Sequence, residues 1–142
     1  MATTRNATTH WEGSLFEGAG QVTLQSSGTG TFDVSWASRA EEANGRTSPE
    51  ELIAAAHSSC FSMALSNGLA KAGSPATALD TSVDVDFVPG TGITEIRITV
   101  RAQVDGMSDE DFVAAAEDAK ANCPVSQALA AVPSITLDAA LA

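Results

Sequence analysis

The stretch TSPEELIAAAHSSCFSMALSNGLAKAG, from Thr47 to Gly73, constrains this chain more than any other. It reads as one long helix with both ends marked. Ser48 is a good N-cap, Pro49 suits the first helical position, where its missing N–H costs nothing, and Glu51 falls three residues after the cap, as a capping box requires. Gly73 supplies a stop and Pro75 follows it. At about 100° per residue, Ile53, Ala56, Cys60, Met63 and Ala64 share one face, which we expect to be the buried one. The interior is rich in alanine and serine, so the helix must pack closely against its neighbours.

The segments around it alternate with the period of strands. THWEGSLFEGAGQVTLQSS predicts a hairpin, with glycines 13, 18 and 20 at turns or bulges. GTGTFDVSWAS predicts a further strand alternating around Phe32, Val34 and Trp36, and SRAEEANGR a polar loop broken at Asn44-Gly45. After the helix, TSVDVDFV and ITEIRITVRAQV alternate across a turn at Pro89–Gly92. This predicts a long hairpin with Ile96, Ile98, Val100, Ala102 and Val104 facing inward. Ser108 caps a second helix with Asp111 three residues on, Pro124 interrupts it and opens a short one, and SITLDAAL closes as a strand. Strands, long helix, hairpin, helices and strand make an α+β fold with antiparallel sheets, and no glycine-rich phosphate loop is present.

At 142 residues, with no linker, repeat or low-complexity block, we expect a single domain over 1–142. Five Phe, two Trp and no Tyr are little aromatic mass, which points to a second subunit covering part of the apolar surface. The formal charge of −11, from eighteen acids against seven Lys and Arg, argues against a nucleic-acid partner and against an anionic membrane surface. No apolar run approaches the roughly 20 residues of a membrane span, and MATTRNATTHWEG has no apolar signal-peptide core, so we expect a cytoplasmic protein.

Two cysteines in such a compartment are not a disulfide scaffold; if they pair, the bond is transient. Cys123 stands just before Pro124 at the start of a short helix, where free N–H groups and the helix dipole favour a thiolate. Cys60 lies mid-helix without local help, and burial alone would raise its pKa. As a nucleophile it needs a cation from elsewhere; Arg39, Arg46 and His57 are the candidates. Other readings stay open on these residues. Cys60 can be a small buried hydrophobe, or it can join His57, Cys123 and His10 in a metal site, although the spacing matches no compact zinc module. His57 can simply be a helical histidine bonded to water or a carbonyl. Arg39 can be an ordinary loop cation, and Glu50 and Glu51 first-turn acids complementing the dipole.

RTSPEELIAAAHSSCFSMALS closely resembles the signature of the OsmC/Ohr family of thiol peroxidases, and AKANCPVSQAL resembles that family's second-cysteine motif. THWEGSLFEGAG and SWASRAEE resemble the OsmC branch more than the Ohr branch, so the resemblance covers nearly the whole chain. It implies an intertwined homodimer with active sites at the subunit interface. It also implies reduction of organic hydroperoxides by a two-cysteine cycle that uses no metal or flavin, with an external dithiol, of the lipoyl type, as reductant. On this chain it implies Cys60 as the peroxidatic cysteine, Cys123 as the resolving one, Arg39 as the activator of the Cys60 thiolate and Glu50 as the acid paired with that arginine. Ten helical residues, roughly 15 Å of rise, separate Glu50 from Cys60, so we expect the Arg39–Glu50 pair to reach a Cys60 across the dimer interface. The alternative is a dimeric module binding an apolar ligand, its cysteines mere packing.

Overall fold

Strand β1 (Thr8–Glu12) carries only exposed residues, yet it pairs in full with β2 (Ala19–Thr23), Trp11 opposite Gly20. The absence of a side chain at Gly20 is what admits the indole: a Cβ there would stand 2.8 Å from Trp11 Cε3 and 2.7 Å from the His10 carbonyl. β3 (Thr31–Val34) completes an antiparallel sheet of order β1-β2-β3, with cross-strand bonds from Gln21 to Asp33 and between Thr23 and Thr31. This is a computed structural model, and it describes residues 1–142, which divide into two compact units, Met1–Leu52 and Ile53–Ala142.

The strand expected to continue through Trp36 stops at Val34. Ser35 instead caps a short helix, α1 (Trp36–Ala40): its hydroxyl accepts from Ser38 N–H at 3.1 Å while Ser38 Oγ accepts from Ser35 N–H at 3.0 Å. Two reciprocal bonds satisfy otherwise orphaned amides and outweigh the strand preference of the flanking residues. The polar loop then turns at Asn44, whose φ of 47° is in the left-handed region.

The long helix, α2 (Pro49–Lys71), begins as expected, Ser48 Oγ accepting from Glu51 N–H at 3.1 Å. The Glu51 carboxylate, however, takes the Thr47 hydroxyl at 2.8 Å. At the far end Gly73 lies at φ 84°, and Ser74 N–H reaches back to Leu69 O at 3.0 Å, closing the helix with a left-handed cap. The buried face is not the expected one. His57, Phe61, Leu65 and Leu69 are fully buried, whereas Ala56 is exposed and Met63 is 72% exposed. Small and apolar residues surround this helix on all sides, so their spacing could not single out the face that the core would choose.

The core of the second unit joins that face to the sheet formed by β4 (Ala78–Val88), β5 (Gly92–Gln103) and β6 (Ser134–Leu141). Ile96, Ile98, Val100, Ala102 and Val104 are all buried, as their alternation predicts. α3 (Asp109–Asn122), capped by Ser108, adds Phe112, Ala116 and Ala119. α4 (Pro124–Ala128) follows. β4 and β5 are antiparallel with a bulge at Asp86/Phe87, but β6 lies parallel to β5. The antiparallel expectation therefore fails at this one pairing. Two helices lie between β5 and β6, long enough for the crossover that parallel neighbours need.

Candidate active site

In the first unit a short network brings an arginine to a carboxylate. Ser38 Oγ donates to Thr47 O at 2.9 Å and Thr47 N–H to Asp33 O at 3.0 Å, so the loop after α1 folds back onto its own start. Arg39 in the last turn of α1 and Glu50 in the first turn of α2 then meet. Arg39 Nε donates to Glu50 Oε1 at 3.0 Å and to Oε2 at 3.2 Å, and Nη2 to Oε1 at 2.8 Å. Glu50 is only 6% exposed, so its charge rests on this fork, and a planar guanidinium held along two donors is fixed in orientation. Arg46, a second candidate cation, lines a surface depression with His10, Glu12 and Asp33. Beside Arg39 lies an apolar cavity of about 360 Å³, lined by Trp11, Leu15, Val34, Trp36 and Leu52. Phe16 packs edge-on against Trp36 with ring centroids 5.7 Å apart.

In the second unit Cys60 and Cys123, distant in sequence, are brought close enough as free thiols for each to shift the other's pKa. Cys123 caps α4, as expected, and is fully buried. Burial pushes its thiol up, but the Ser126 N–H, the Cys60 thiol, the Ser126 hydroxyl and the Val125 N–H together pull it below the ordinary cysteine value. Cys60 is half-buried, and burial pushes it up; a bond from Val125 N–H only partly offsets this, and the neighbouring Cys123 raises it further. Within this unit, then, Cys123 is the more acidic thiol, which agrees with its helix-start position.

His57 is neither a cation for Cys60 nor bonded to a carbonyl. It is fully buried, desolvation lowers its pKa, and its Nε2 lies 2.6 Å from Ser126 Oγ. No group of three or more His, Cys, Asp or Glu side chains stands together as a metal site. Ser126 was missed from sequence. Its only local signal is its place three residues after a cysteine that caps a helix; its partner His57 is remote in the chain.

The OsmC-like protein family model matches residues 42–138. The chain is 42% identical over 132 residues to Peroxiredoxin OsmC of Escherichia coli strain K12, covering 91% of this chain and 90% of that protein. Among solved structures, the organic hydroperoxide resistance protein OsmC of Legionella pneumophila superimposes with a TM-score of 0.73 at 21% identity, covering 99% of this chain and 98% of that one. OhrB of Bacillus subtilis, also an organic hydroperoxide resistance protein, superimposes with a TM-score of 0.65 at 21% identity, covering 96% and 98%.

Proposed function

This chain belongs to the OsmC family, and on that premise we propose that it is a cysteine-based peroxidase that reduces organic hydroperoxides to alcohols. The observation that carries the reading is the nearness of two free thiols, Cys60 half-accessible and Cys123 buried. A solvent-reachable sulfur takes the oxidant, and a protected one captures the oxidised product. The Cys60 thiolate attacks the distal oxygen of ROOH; the O–O bond breaks, the alcohol leaves and Cys60 becomes a sulfenic acid. Cys123 attacks that sulfur, water departs, and a Cys60–Cys123 disulfide remains for an external dithiol to reduce by exchange.

Cys60 has its pKa raised within its own unit, so first attack needs a cation. Arg39, oriented by Glu50, is the proposed source, acting from one subunit of a homodimer on the Cys60 of the other. Two features support a homodimer. Trp11, Leu15, Phe16 and Phe32 of the first unit are substantially exposed, and α2 exposes Met63 on a face that carries no charge between Leu52 and Ala70. The cavity beside Arg39, with its two tryptophans, favours a bulky apolar R group over hydrogen peroxide. No helix is long and apolar enough to cross a membrane; residues 1–142 acting as one domain in the cytoplasm, supplied by a lipoyl-type dithiol, complete the proposal.

Stoichiometric oxidation tests it. Mixed with one equivalent of cumene hydroperoxide, the reduced protein should lose both thiols within seconds, Cys123→Ser should accumulate a sulfenic acid, and Cys60→Ser should not react. Survival of both thiols in the unaltered protein would overturn the reading.

A further inference from the structure

The two-cysteine cycle makes no use of His57, a buried imidazole on α2 whose Nε2 lies 2.6 Å from the buried Ser126 hydroxyl. Burying an imidazole and a hydroxyl removes both from water, a cost that their bond to each other offsets only in part. Its second nitrogen, Nδ1, is buried without a partner. An imidazole with one nitrogen unpaired was not placed there to maximise hydrogen bonding; the bond that is kept is the one to Ser126.

Ser126 occupies the first turn of α4, three residues after Cys123, and its hydroxyl is among the groups that pull the Cys123 thiol below the ordinary cysteine value. The direction of the chain of bonds follows from the imidazole. Burial keeps His57 neutral, so only one ring nitrogen carries a proton. A buried N–H without an acceptor is the rarer and costlier defect, so the proton belongs on Nε2 and the unpaired Nδ1 is a bare lone pair. Nε2–H then donates to Ser126 Oγ, and the serine's own hydrogen is free to turn toward Cys123.

We propose that His57 is a positioning residue for the resolving step: it orients the Ser126 hydroxyl as a donor to Cys123 Sγ and so holds that sulfur ready to attack the Cys60 sulfenic acid. This inference rests on the two-cysteine reading above. In the step itself the Cys123 sulfur forms the S–S bond as the S–O bond of the sulfenic acid breaks. Cys123 is oxidised and the sulfenic sulfur reduced, and the Cys123 proton leaves with the departing hydroxide as water. His57 and Ser126 end the step in the protonation states in which they began it. The titratable group facing Cys123 is Cys60 from α2. From α3, the Ala119 carbonyl accepts the Cys123 N–H, and no charged side chain is among the groups that shift the Cys123 thiol.

The test separates the resolving step from the first. In a Cys60→Ser background the ultraviolet thiolate band reports Cys123 alone, without any reagent having to reach it. Adding Ser126→Ala should move its midpoint upward by about one pH unit, the effect of losing one bond to a charged sulfur. His57→Phe should do the same, and His57→Gln, which can keep an N–H toward Ser126, should restore most of the shift. With both cysteines present, Ser126→Ala should slow disulfide formation after one equivalent of hydroperoxide about tenfold at neutral pH. Formation of the sulfenic acid should keep its rate. An unmoved midpoint in folded Ser126→Ala, or a first step slowed as much as the second, would overturn the inference. Failure of the unaltered protein to form any disulfide would overturn the peroxidase reading instead, and the titration of Cys123 would still decide the role of Ser126.

Discussion

The two units of this chain are built on opposite principles. Ile53–Ala142 has a core of its own, in which α2, β5 and α3 contribute Phe61, Leu65, Leu69, Ile96, Ile98, Val100, Phe112 and Ala116, all buried. In Met1–Leu52 the one buried apolar side chain is Val22, while Trp11, Leu15, Phe16 and Phe32 remain exposed. A three-stranded sheet without a filled apolar face is a marginal structure. The first unit is thus held by its backbone ladder and by polar ties such as Ser38 to Thr47, and most of its large apolar side chains stay outside any core. The thiols lie in the unit with the core, where sulfur can be held still and partly dry. The arginine, its acid and the tryptophan-lined cavity lie in the unit without one.

The sharpest way to break this comparison is to make the same truncation in both units. Phe112→Ala should cost about 3–5 kcal/mol in urea denaturation, because a fully buried ring leaves a cavity. Phe16→Ala, from a residue 75% exposed, should cost less than about 1 kcal/mol. A large, protein-concentration-dependent loss at Phe16 would instead mean that a second chain covers it. Next in size, Arg39→Ala should slow sulfenic acid formation about a hundredfold, as removal of one preorganised donor does in other enzymes, and should also lower the denaturation midpoint, because it leaves the buried Glu50 carboxylate without its guanidinium. Arg39→Lys should not rescue the rate, since an ammonium cannot reproduce the fork onto Glu50. Ser108→Ala should remove the cap of α3 and cost about 1 kcal/mol, with no effect on the first oxidation step.

The smallest effect is a slope. The pKa of His57 is lower in the folded chain than in the unfolded one, so below the ordinary histidine range the unfolded chain binds the extra proton. The stability that His57 allows is therefore complete above that range. It is lost as pH falls toward the depressed folded value. Thermal melts at mildly acidic pH should show this decline, and His57→Gln should flatten it. An identical decline in the variant would place its origin elsewhere.

What could be read from the sequence was whatever is decided locally. Ser48, Ser108, Gly73 and Pro124 mark helix ends by bonds to residues within a turn, and all four act where expected. The alternation from Ile96 to Val104 named the inward face of β5 because the other face carries Glu95, Arg97 and Arg101. The same logic failed on α2, where serine and alanine occupy every face and polarity marks no side as outward. Trp36 was misplaced because Phe32 and Val34 continue toward it with strand periodicity, although Ser35 and Ser38 carried the signal for a cap. The pairing of Arg39 with Glu50 was drawn from the family resemblance; the structure shows the contact, with the fold-back at Thr47 as its cause. The parallel docking of β6 and the bond from His57 to Ser126 join residues far apart in the chain. No window of sequence contains both partners.

The nearness of Cys60 and Cys123 in the reduced protein has a consequence for what kind of redox protein this can be. A redox sensor must convert oxidation into a change of outline that another molecule can read, and that requires its sulfurs to travel. Here Cys60 and Cys123 already lie near one another in the reduced protein, so a bond between them would need little travel. Such a protein reports little about the peroxide it has met; it removes the peroxide and is reset, suited to turnover and poorly suited to signalling.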